Sequence, residues 1–217
     1  MRLHLIFGAP GSGKGSLAKL VHEKFALTHL STGDILRDSV SKGTEVGLRV
    51  KASMANGTLV DDDTVNGIVF ARLQDETEDV LFDGYPRTLN QAIALDDFLS
   101  ERELDFGLVV YIDVPVSVLE SRIVGRRVCS NSSCGAIYHV IRKKPLVDGV
   151  CDSRKSLLVQ RPDDTSLAFH ARMDEFNASY GPMLEHYRGK SNFRQVDGIA
   201  LPDEVFSAVS MLYEEYV

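Results

Sequence analysis

Cysteine is scarce in this chain of 217 residues, and long apolar runs and an excess of positive charge are missing from it. Its three cysteines, Cys129, Cys134 and Cys151, are too few and too unevenly spaced for the disulfide framework of a small secreted protein. No apolar run approaches the roughly 18–20 residues of a membrane span. The short run Leu3–Phe7 ends at Gly8, so we expect no signal peptide and a cytoplasmic location.

The charge balance argues against two classes of partner. The chain has 24 Lys and Arg against 31 Asp and Glu, a formal net charge of -7. A general nucleic-acid coat and a binder of anionic membranes both need a basic surface, so we expect neither partner. A small anionic ligand is still compatible, because a local arginine cluster can reverse the overall sign.

Short apolar runs alternate with helical patterns along most of the chain. The runs 3–7, 80–82 and 108–112 are unbroken, as in parallel strands that are buried on both faces, and 192–196 is expected to be a last strand. Helical patterns are found at 14–25, 63–73, 89–99, 117–124 and 202–216. This alternation predicts a doubly wound α/β core with helices on both faces of a parallel sheet.

Two stretches do not fit the alternation. Residues 31–60 show helical patterns only, and a second stretch, from 128 to about 161, holds all three cysteines and many turn and β-type residues. We expect both to be insertions on one core. The predicted core is 1–30, 61–125 and 165–217, with a helical insertion at 31–60 and a β-rich insertion at 126–164.

The strongest motif is the glycine-rich stretch Gly8–Ser16, which has a strand before it and a helix after it. Its glycines let backbone N–H groups converge on a phosphate, and the helix N-terminus adds the positive end of its dipole. Lys14 is placed to bridge the β- and γ-phosphates of a nucleotide. Gly15 stands where a Ser or Thr usually follows the lysine, and Ser16 comes next.

The form G-x-P-G-x-G-K-G resembles the adenylate kinase family of nucleoside monophosphate kinases, of the long-lid bacterial type. Further motifs follow in the family's order over nearly the whole chain: Ser31–Arg37, Gly57–Asp62 and the D-G-[FY]-P-R signature at Asp83–Arg87. The resemblance implies a P-loop NTPase-type core, a nucleoside monophosphate (NMP) binding insertion at 31–60 and a small lid at 126–164.

The resemblance also implies an acceptor site for AMP. Arg37 and Arg87 would hold the acceptor phosphate, Gln91 would recognise adenine through its amide, and Thr32 would place a hydroxyl beside the base. Asp83 is expected to reach Mg²⁺ through water. The AMP-binding residues implied are Thr32, Arg37, Leu59, Val60, Gly84, Arg87, Gln91, Arg161 and Arg172.

The resemblance further implies a donor site for ATP, formed by the phosphate loop and the lid. Arg122 would pack near the donor adenine, Arg126 would touch its phosphates, and Arg161–Asp164 would form the return hinge. The ATP-binding residues implied are Gly11, Ser12, Gly13, Lys14, Gly15, Ser16, Arg122, Arg126, Tyr138 and Gly198. The catalytic set implied is Lys14, Arg87, Arg126, Arg161 and Arg172. His139 is given no catalytic role.

The cysteines resemble a family zinc site with two departures. Lids of the zinc-binding type carry C-x2-C and C-x2-[CD], but four residues separate Cys129 from Cys134, and Arg154, which cannot bind a metal, stands three residues after Cys151. Asp152 or His139 would complete a tetrahedron outside the family register. Three alternatives stay open: a structural zinc, a degenerate site held by hydrogen bonds, and three reduced thiols packed as small apolar groups.

The activity implied is MgATP + AMP ⇌ 2 ADP in a monomeric enzyme, an ATP:AMP phosphotransferase. One alternative is another monophosphate kinase, acting on UMP, CMP or GMP; the long lid and Gln91 favour AMP. A second alternative is a non-catalytic nucleotide-binding switch. A guanine-nucleotide switch should carry an N-K-x-D motif, and no Asn in this sequence is followed by Lys.

Overall fold

The computed structural model describes residues 1–56, 59–74, 76–131 and 133–216. The elements of the described residues follow in this order: β1 (Arg2–Gly8), α1 (Lys14–Phe25), β2 (Thr28–Ser31), α2 (Thr32–Ser41), α3 (Glu45–Asn56), α4 (Asp62–Leu73), β3 (Val80–Asp83), α5 (Leu89–Glu101), β4 (Asp105–Asp113), α6 (Val116–Val124), β5 (Arg126–Cys129), β6 (Ile137–His139), β7 (Leu158–Val159), α7 (Ser166–Arg188), β8 (Phe193–Asp197) and α8 (Pro202–Tyr216).

The main sheet has five parallel strands in the order β2-β3-β1-β4-β8. It confirms the predicted α/β fold with a parallel central sheet and its four predicted strands. The fifth strand, β2, was not predicted, because its four residues contain a single fully buried apolar side chain, Leu30, and no apolar run. All the strands run parallel, so their carboxyl ends meet at one edge of the sheet.

Helices cover both faces of this sheet. Leu5 and Phe7 of β1 belong to one apolar cluster together with buried side chains of α4, α5 and α7. Ile6, between them in the strand, belongs to a second cluster formed with α1, α6 and α8. Because successive side chains of a strand point to opposite faces, β1 is buried on both sides from Leu3 to Gly8.

The two predicted insertions have different structures. Residues 31–60 contain α2 and α3, and α2 begins where the Ser31 hydroxyl accepts a hydrogen bond from the Asp34 amide at 3.3 Å. Residues 126–164 contain a three-stranded antiparallel sheet in the order β6-β5-β7. Lys19 of α1 donates to the Gly135 carbonyl at 2.7 Å, so the second insertion contacts the core directly. That they are separate moving units stays a prediction.

None of the helices in the described parts of the chain is both long enough and apolar enough to cross a bilayer.

Candidate active site

The loop Gly8–Ser16 joins β1 to α1 at the carboxyl edge of the sheet. Gly11 has φ 88° and Gly13 has φ 97°, a region that residues with a Cβ rarely adopt. The Ser12 amide donates to the Ala9 carbonyl at 3.0 Å and closes the turn. No side chain caps α1, so its first amide groups are available to an anion.

Lys14 lies inside this loop, with its Nζ 3.5 Å from the Ala9 carbonyl oxygen. Burial lowers the pKa of Lys14 to about 7, against the attraction of the Asp83 carboxylate. The positive charges of Arg87 and other nearby arginines lower the pKa further. The positive charges around Lys14 therefore outnumber the negative ones.

Gly15 is explained by its distance to Asp83. A Cβ at this position would lie 2.9 Å from Asp83 Oδ2, closer than real Cβ contacts allow. The first turn of α1 therefore packs directly on the carboxylate at the end of β3. The departure from the usual Lys-Ser or Lys-Thr sequence is a packing requirement of this approach.

Asp83 is a buried carboxylate beside the phosphate loop. Burial by itself raises its pKa, but the neighbouring His29, whose Nε2 is 3.8 Å from Oδ2, and the charge of Lys14 lower it overall. Asp83 is thus ionised in the folded protein. A buried, ionised carboxylate next to a phosphate loop fits a Mg²⁺ ion that arrives with a nucleotide.

A cleft next to the loop brings together all the predicted acceptor residues except Arg161. Its lining includes Lys14, Thr32, Arg37, Leu59, Val60, Gly84, Arg87, Gln91 and Arg172. The Thr32 hydroxyl donates to the Gly84 carbonyl at 2.9 Å, which ties α2 to the turn after β3. Gly57 and Thr58, in the predicted segment over the base, lie outside the described residues.

Gln91 is buried, and both ends of its amide have protein partners. Its Oε1 accepts from the Arg87 amide and its Nε2 donates to Asp62 Oδ1, both at 2.7 Å. One hydrogen and one lone pair remain, so the predicted adenine contact stays a prediction. The partner Asp62 was missed in the sequence, because the two residues are 29 positions apart and no local pattern joins them.

The two acceptor arginines are held in different ways. Arg87 donates from Nε to the Gly84 carbonyl at 2.7 Å, and burial lowers its pKa, opposed by Asp83. Arg37 pairs with Asp34 at 2.6 Å on the same helix. Both arginines line the cleft. A phosphate bound there would compete with Asp34 for Arg37, whereas the Nε contact of Arg87 does not use its two outer nitrogens.

Two ion pairs fix the arginines on the lid side. Arg126, the first residue of β5, pairs with Asp164, with an Nε to Oδ2 distance of 2.8 Å and a second close contact to Oδ1. Arg172 of α7 pairs with Asp163 at 3.1 Å. Asp163 and Asp164 were seen in the sequence only as part of a hinge, and the structure gives them the role of orienting these guanidinium groups.

The positive groups of the site repel one another. Burial lowers the pKa of Arg161 to about 10, and the charges of Arg37 and Arg126 lower it further. Burial likewise lowers the pKa of Arg172 to about 10, against the attraction of Asp163. The groups that the structure brings together are Lys14, Arg37, Arg87, Arg126, Arg161 and Arg172. A ligand carrying several negative charges would relieve this repulsion.

Arg122 and Gly198 form the other side of the phosphate loop. Arg122 donates to the carbonyls of Gly198, at 2.9 Å, and Ser12, at 3.4 Å. A Cβ on Gly198 would collide with the side chains of Ile112 and Val114, so glycine permits this close approach. The loop after β8 therefore lies beside the phosphate loop, where the donor adenine is predicted.

The three cysteines come together in the lid with Tyr138. Their sulfur atoms all lie within 4.8 Å of one another, and Cys134 and Cys151 are 3.7 Å apart. All three are free thiols, and a zinc-type ion fits such a donor set. Tyr138 is 6% exposed and its hydroxyl contacts Cys151 Sγ at 3.6 Å. The structure therefore places this predicted ATP contact in the cysteine cluster.

The loop of main-chain amides carries a lysine, lies at the carboxyl edge of a parallel sheet and faces a group of arginines. These features define the P-loop class of nucleotide-binding proteins. The family model described as adenylate kinase matches residues 6–192. The chain belongs to the adenylate kinase family.

Several curated relatives cover almost the full length of the chain. An adenylate kinase of Petrotoga mobilis is 42% identical over 205 residues, 94% of both chains. An adenylate kinase of Clostridium botulinum strain Loch Maree is 41% identical over 210 residues, 95% of both chains. One from Clostridium perfringens strain SM101 is 40% identical over 207 residues, 94% of this chain and 95% of that one.

Proposed function

We propose that this chain catalyses the reversible transfer of the terminal phosphoryl group of ATP to AMP, giving two ADP, and so balances the adenine nucleotides. The observation that carries the proposal is the convergence of Lys14 and five arginines between the phosphate loop and the acceptor cleft. A protein that only binds one nucleotide has no use for a second set of phosphate-binding groups.

The chemistry needs alignment and charge compensation from the protein. The loop amides and Lys14 hold the β- and γ-phosphates of ATP, while Arg37 and Arg87 fix the phosphate of AMP. An oxygen of that phosphate attacks the γ-phosphorus in line, and the bond to the β-γ bridging oxygen breaks. The acceptor oxygen is already anionic, so no general base is required. Alignment of this kind can supply roughly 7–11 kcal/mol.

The moving phosphoryl group is surrounded from the lid and from α7. Arg126, Arg161 and Arg172 compensate the charge on its oxygens as it passes between the two nucleotides. Asp163 and Asp164 hold two of these guanidinium groups in place. Mg²⁺ bound with ATP would be held near Asp83 and would supply charge neutralisation at the β- and γ-oxygens. The lid covers the loop through Lys19 and Gly135 and keeps water from accepting the phosphoryl group.

The finer predictions from the sequence belong to the same proposal. Apart from Tyr138, whose hydroxyl lies against Cys151 in the cysteine cluster, the donor and acceptor residues are proposed to keep their predicted roles. The thiols of Cys129, Cys134 and Cys151 are proposed to hold a structural zinc ion. The protein is proposed to act as a monomer in the cytoplasm.

The test is a coupled assay of ADP formation with MgATP and a panel of AMP, UMP, CMP and GMP, each run beside Lys14→Met protein purified in the same way. We expect AMP to give the highest kcat/KM. We expect Lys14→Met to lower the rate at least about 100-fold, because a charge at the transferring phosphates is lost. The residual activity of the Lys14→Met protein also gives an upper limit for the activity of any contaminating host enzyme.

Three outcomes would contradict the proposal in different ways. Activity of Lys14→Met near that of the unchanged protein would remove the donor-site assignment. A higher kcat/KM with UMP, CMP or GMP would make the chain a different monophosphate kinase. ATP binding without ADP formation on addition of any monophosphate would favour a nucleotide-binding switch.

A further inference from the structure

The cysteine cluster of the lid offers three sulfur donors, and a tetrahedral metal site needs a fourth donor. Arg154, at the family position for this donor, cannot bind a metal and is exposed. Within the described parts of the chain, no His, Asp or Glu donor atom joins the three sulfurs. The fourth donor must therefore come from another kind of residue or from outside the protein.

The two candidates from the sequence are engaged elsewhere. Asp152 Oδ1 accepts a hydrogen bond from the Leu146 amide at 2.8 Å. His139 Nδ1 accepts from the amides of Ile141 and Arg142, at 3.0 and 3.1 Å, and its Nε2 lies 3.0 Å from the Ser121 carbonyl. His139 would have to break these contacts to reach the sulfurs, and neither residue has a donor atom that joins them in the structure.

Tyr138 is the oxygen donor that already lies against the cluster. Its ring packs with Cys129 and Cys151 in the buried centre of the lid, and its Oη is 3.6 Å from Cys151 Sγ. The Asp152 amide donates to the same Oη at 2.9 Å. This amide fixes the oxygen and leaves it a lone pair, in the way that outer hydrogen bonds orient metal ligands.

Two of the six donor-to-donor distances of a tetrahedral site already match before any ion is bound. With metal to sulfur bonds of about 2.3 Å and metal to oxygen bonds of about 2.0–2.2 Å, two sulfurs of a tetrahedral site are about 3.8 Å apart, and a sulfur and an oxygen are about 3.5–3.7 Å apart. The observed distances are 3.7 Å between Cys134 and Cys151 and 3.6 Å between Cys151 and Tyr138 Oη.

We infer that the phenolate oxygen of Tyr138 is the fourth ligand of the zinc-type ion held by Cys129, Cys134 and Cys151. The inference rests on the proposed zinc site and replaces its missing family ligand with a tyrosine. On binding, the ion displaces the phenol proton and the protons of the thiols, which pass to solvent.

The experiment measures zinc affinity by competition with a chromophoric chelator, and the spectrum of the Co²⁺-loaded protein, in full-length chains. The variants are Tyr138→Phe, Arg154→Cys, and the two combined. We expect Tyr138→Phe to weaken zinc binding at least tenfold and to shift the visible Co²⁺ bands. Arg154→Cys restores the C-x2-C spacing, so it should bind zinc more tightly and show stronger thiolate-to-cobalt absorption. In that background we expect Tyr138→Phe to change the affinity less than twofold.

The double variant separates a ligand from a hydrogen-bond donor. An equal loss from Tyr138→Phe in both backgrounds would mean that the phenol only donates to Cys151, and it would overturn the inference, as would no loss in the unchanged chain. If the thiolate absorption does not rise in Arg154→Cys, the same comparison is made with Arg154→Asp. An unchanged chain that binds no zinc would overturn both the zinc proposal and this inference, and circular dichroism of each variant checks the fold.

Discussion

At the scale of single residues, the site holds positively charged side chains close together, which is unfavourable while no anionic ligand is bound. Burial and mutual repulsion lower the pKa values of Lys14, Arg161 and Arg172 below their usual values. Such groups are costly in the free protein and favourable beside phosphates. Lys14 has a pKa of about 7, so its protonation state changes near neutral pH. A change in its surroundings on binding can therefore be measured as proton uptake.

We predict that nucleotide binding takes up close to one proton at about pH 8.5. There Lys14, with a pKa of about 7, is mostly neutral in the free protein, and phosphates beside it return the pKa toward 10.5. At about pH 6 the lysine is already charged and contributes no uptake. The same pKa difference affects stability. Between pH 7 and 10.5 the unfolded chain binds more protons at Lys14 than the folded chain, so the contribution of this residue to the free energy of unfolding rises with pH.

Isothermal titration calorimetry with diadenosine pentaphosphate, in buffers of different ionisation enthalpy, measures this uptake. Lys14→Arg is the matched control, since a guanidinium stays charged throughout the range and should remove the uptake. Equal proton uptake in the two proteins at about pH 8.5 would show that another group titrates.

A second residue-scale prediction concerns Arg87. Arg87→Ala should raise the KM for AMP about 10–100-fold, because a hydrogen-bonded charge pair with the acceptor phosphate is lost. The KM for ATP should change less than threefold. Arg87→Lys, which keeps the charge but not the planar fork, should fall between the two. Initial rates with each nucleotide varied in turn give these constants; an equal rise of both would contradict the acceptor assignment.

At the scale of elements, α1 serves both the phosphate loop and the lid. It begins at Lys14 and ends at Phe25, as predicted, because Gly13 ends the loop in a left-handed conformation and the apolar face of the helix packs on the sheet. Lys19, one turn further on, reaches the Gly135 carbonyl in the lid. The helix whose N-terminus follows the phosphate loop therefore also contacts the residues 126–164.

We predict that Lys19→Met raises the KM for ATP about 2–10-fold, because one charge-assisted hydrogen bond between α1 and the lid is removed. The KM for AMP should change less. Lys24→Met is the control: it lies on the same helix, but its Nζ pairs with Glu214 of α8 at 2.6 Å, away from the lid. Steady-state kinetics of both variants provide the measurement, and equal effects would assign the change to α1 itself.

At the scale of the whole molecule, an acidic chain encloses a basic cleft. The formal net charge is -7, yet the arginines and Lys14 from several elements meet where the core, the residues 31–60 and the lid face one another. A ligand that spans the cleft must join these three parts, so it should stabilise the fold as a unit.

We predict that diadenosine pentaphosphate at 100 times its Kd raises the Tm by about 5–11 °C, from about 2.7 kcal/mol of binding free energy. Differential scanning fluorimetry measures the shift. Lys14→Met and Arg87→Ala should each reduce it, since they remove contacts at opposite ends. If Arg87→Ala left the shift unchanged, the compound would be bound in the donor half alone.

The sequence by itself determined the features that depend on short stretches of contiguous residues. The phosphate loop, the D-G-Y-P-R turn, four of the five strands of the main sheet and the helices other than α7 follow from local patterns of glycine, apolar runs and helical spacing. They were predictable because backbone conformation and strand burial depend mainly on neighbouring residues.

Only the tertiary structure decided which distant side chains meet. It paired Gln91 with Asp62, brought Lys19 to Gly135, and turned Tyr138 toward Cys151. These contacts join residues from different elements, and their formation depends on how the whole chain packs, for which no short stretch of sequence carries a signal.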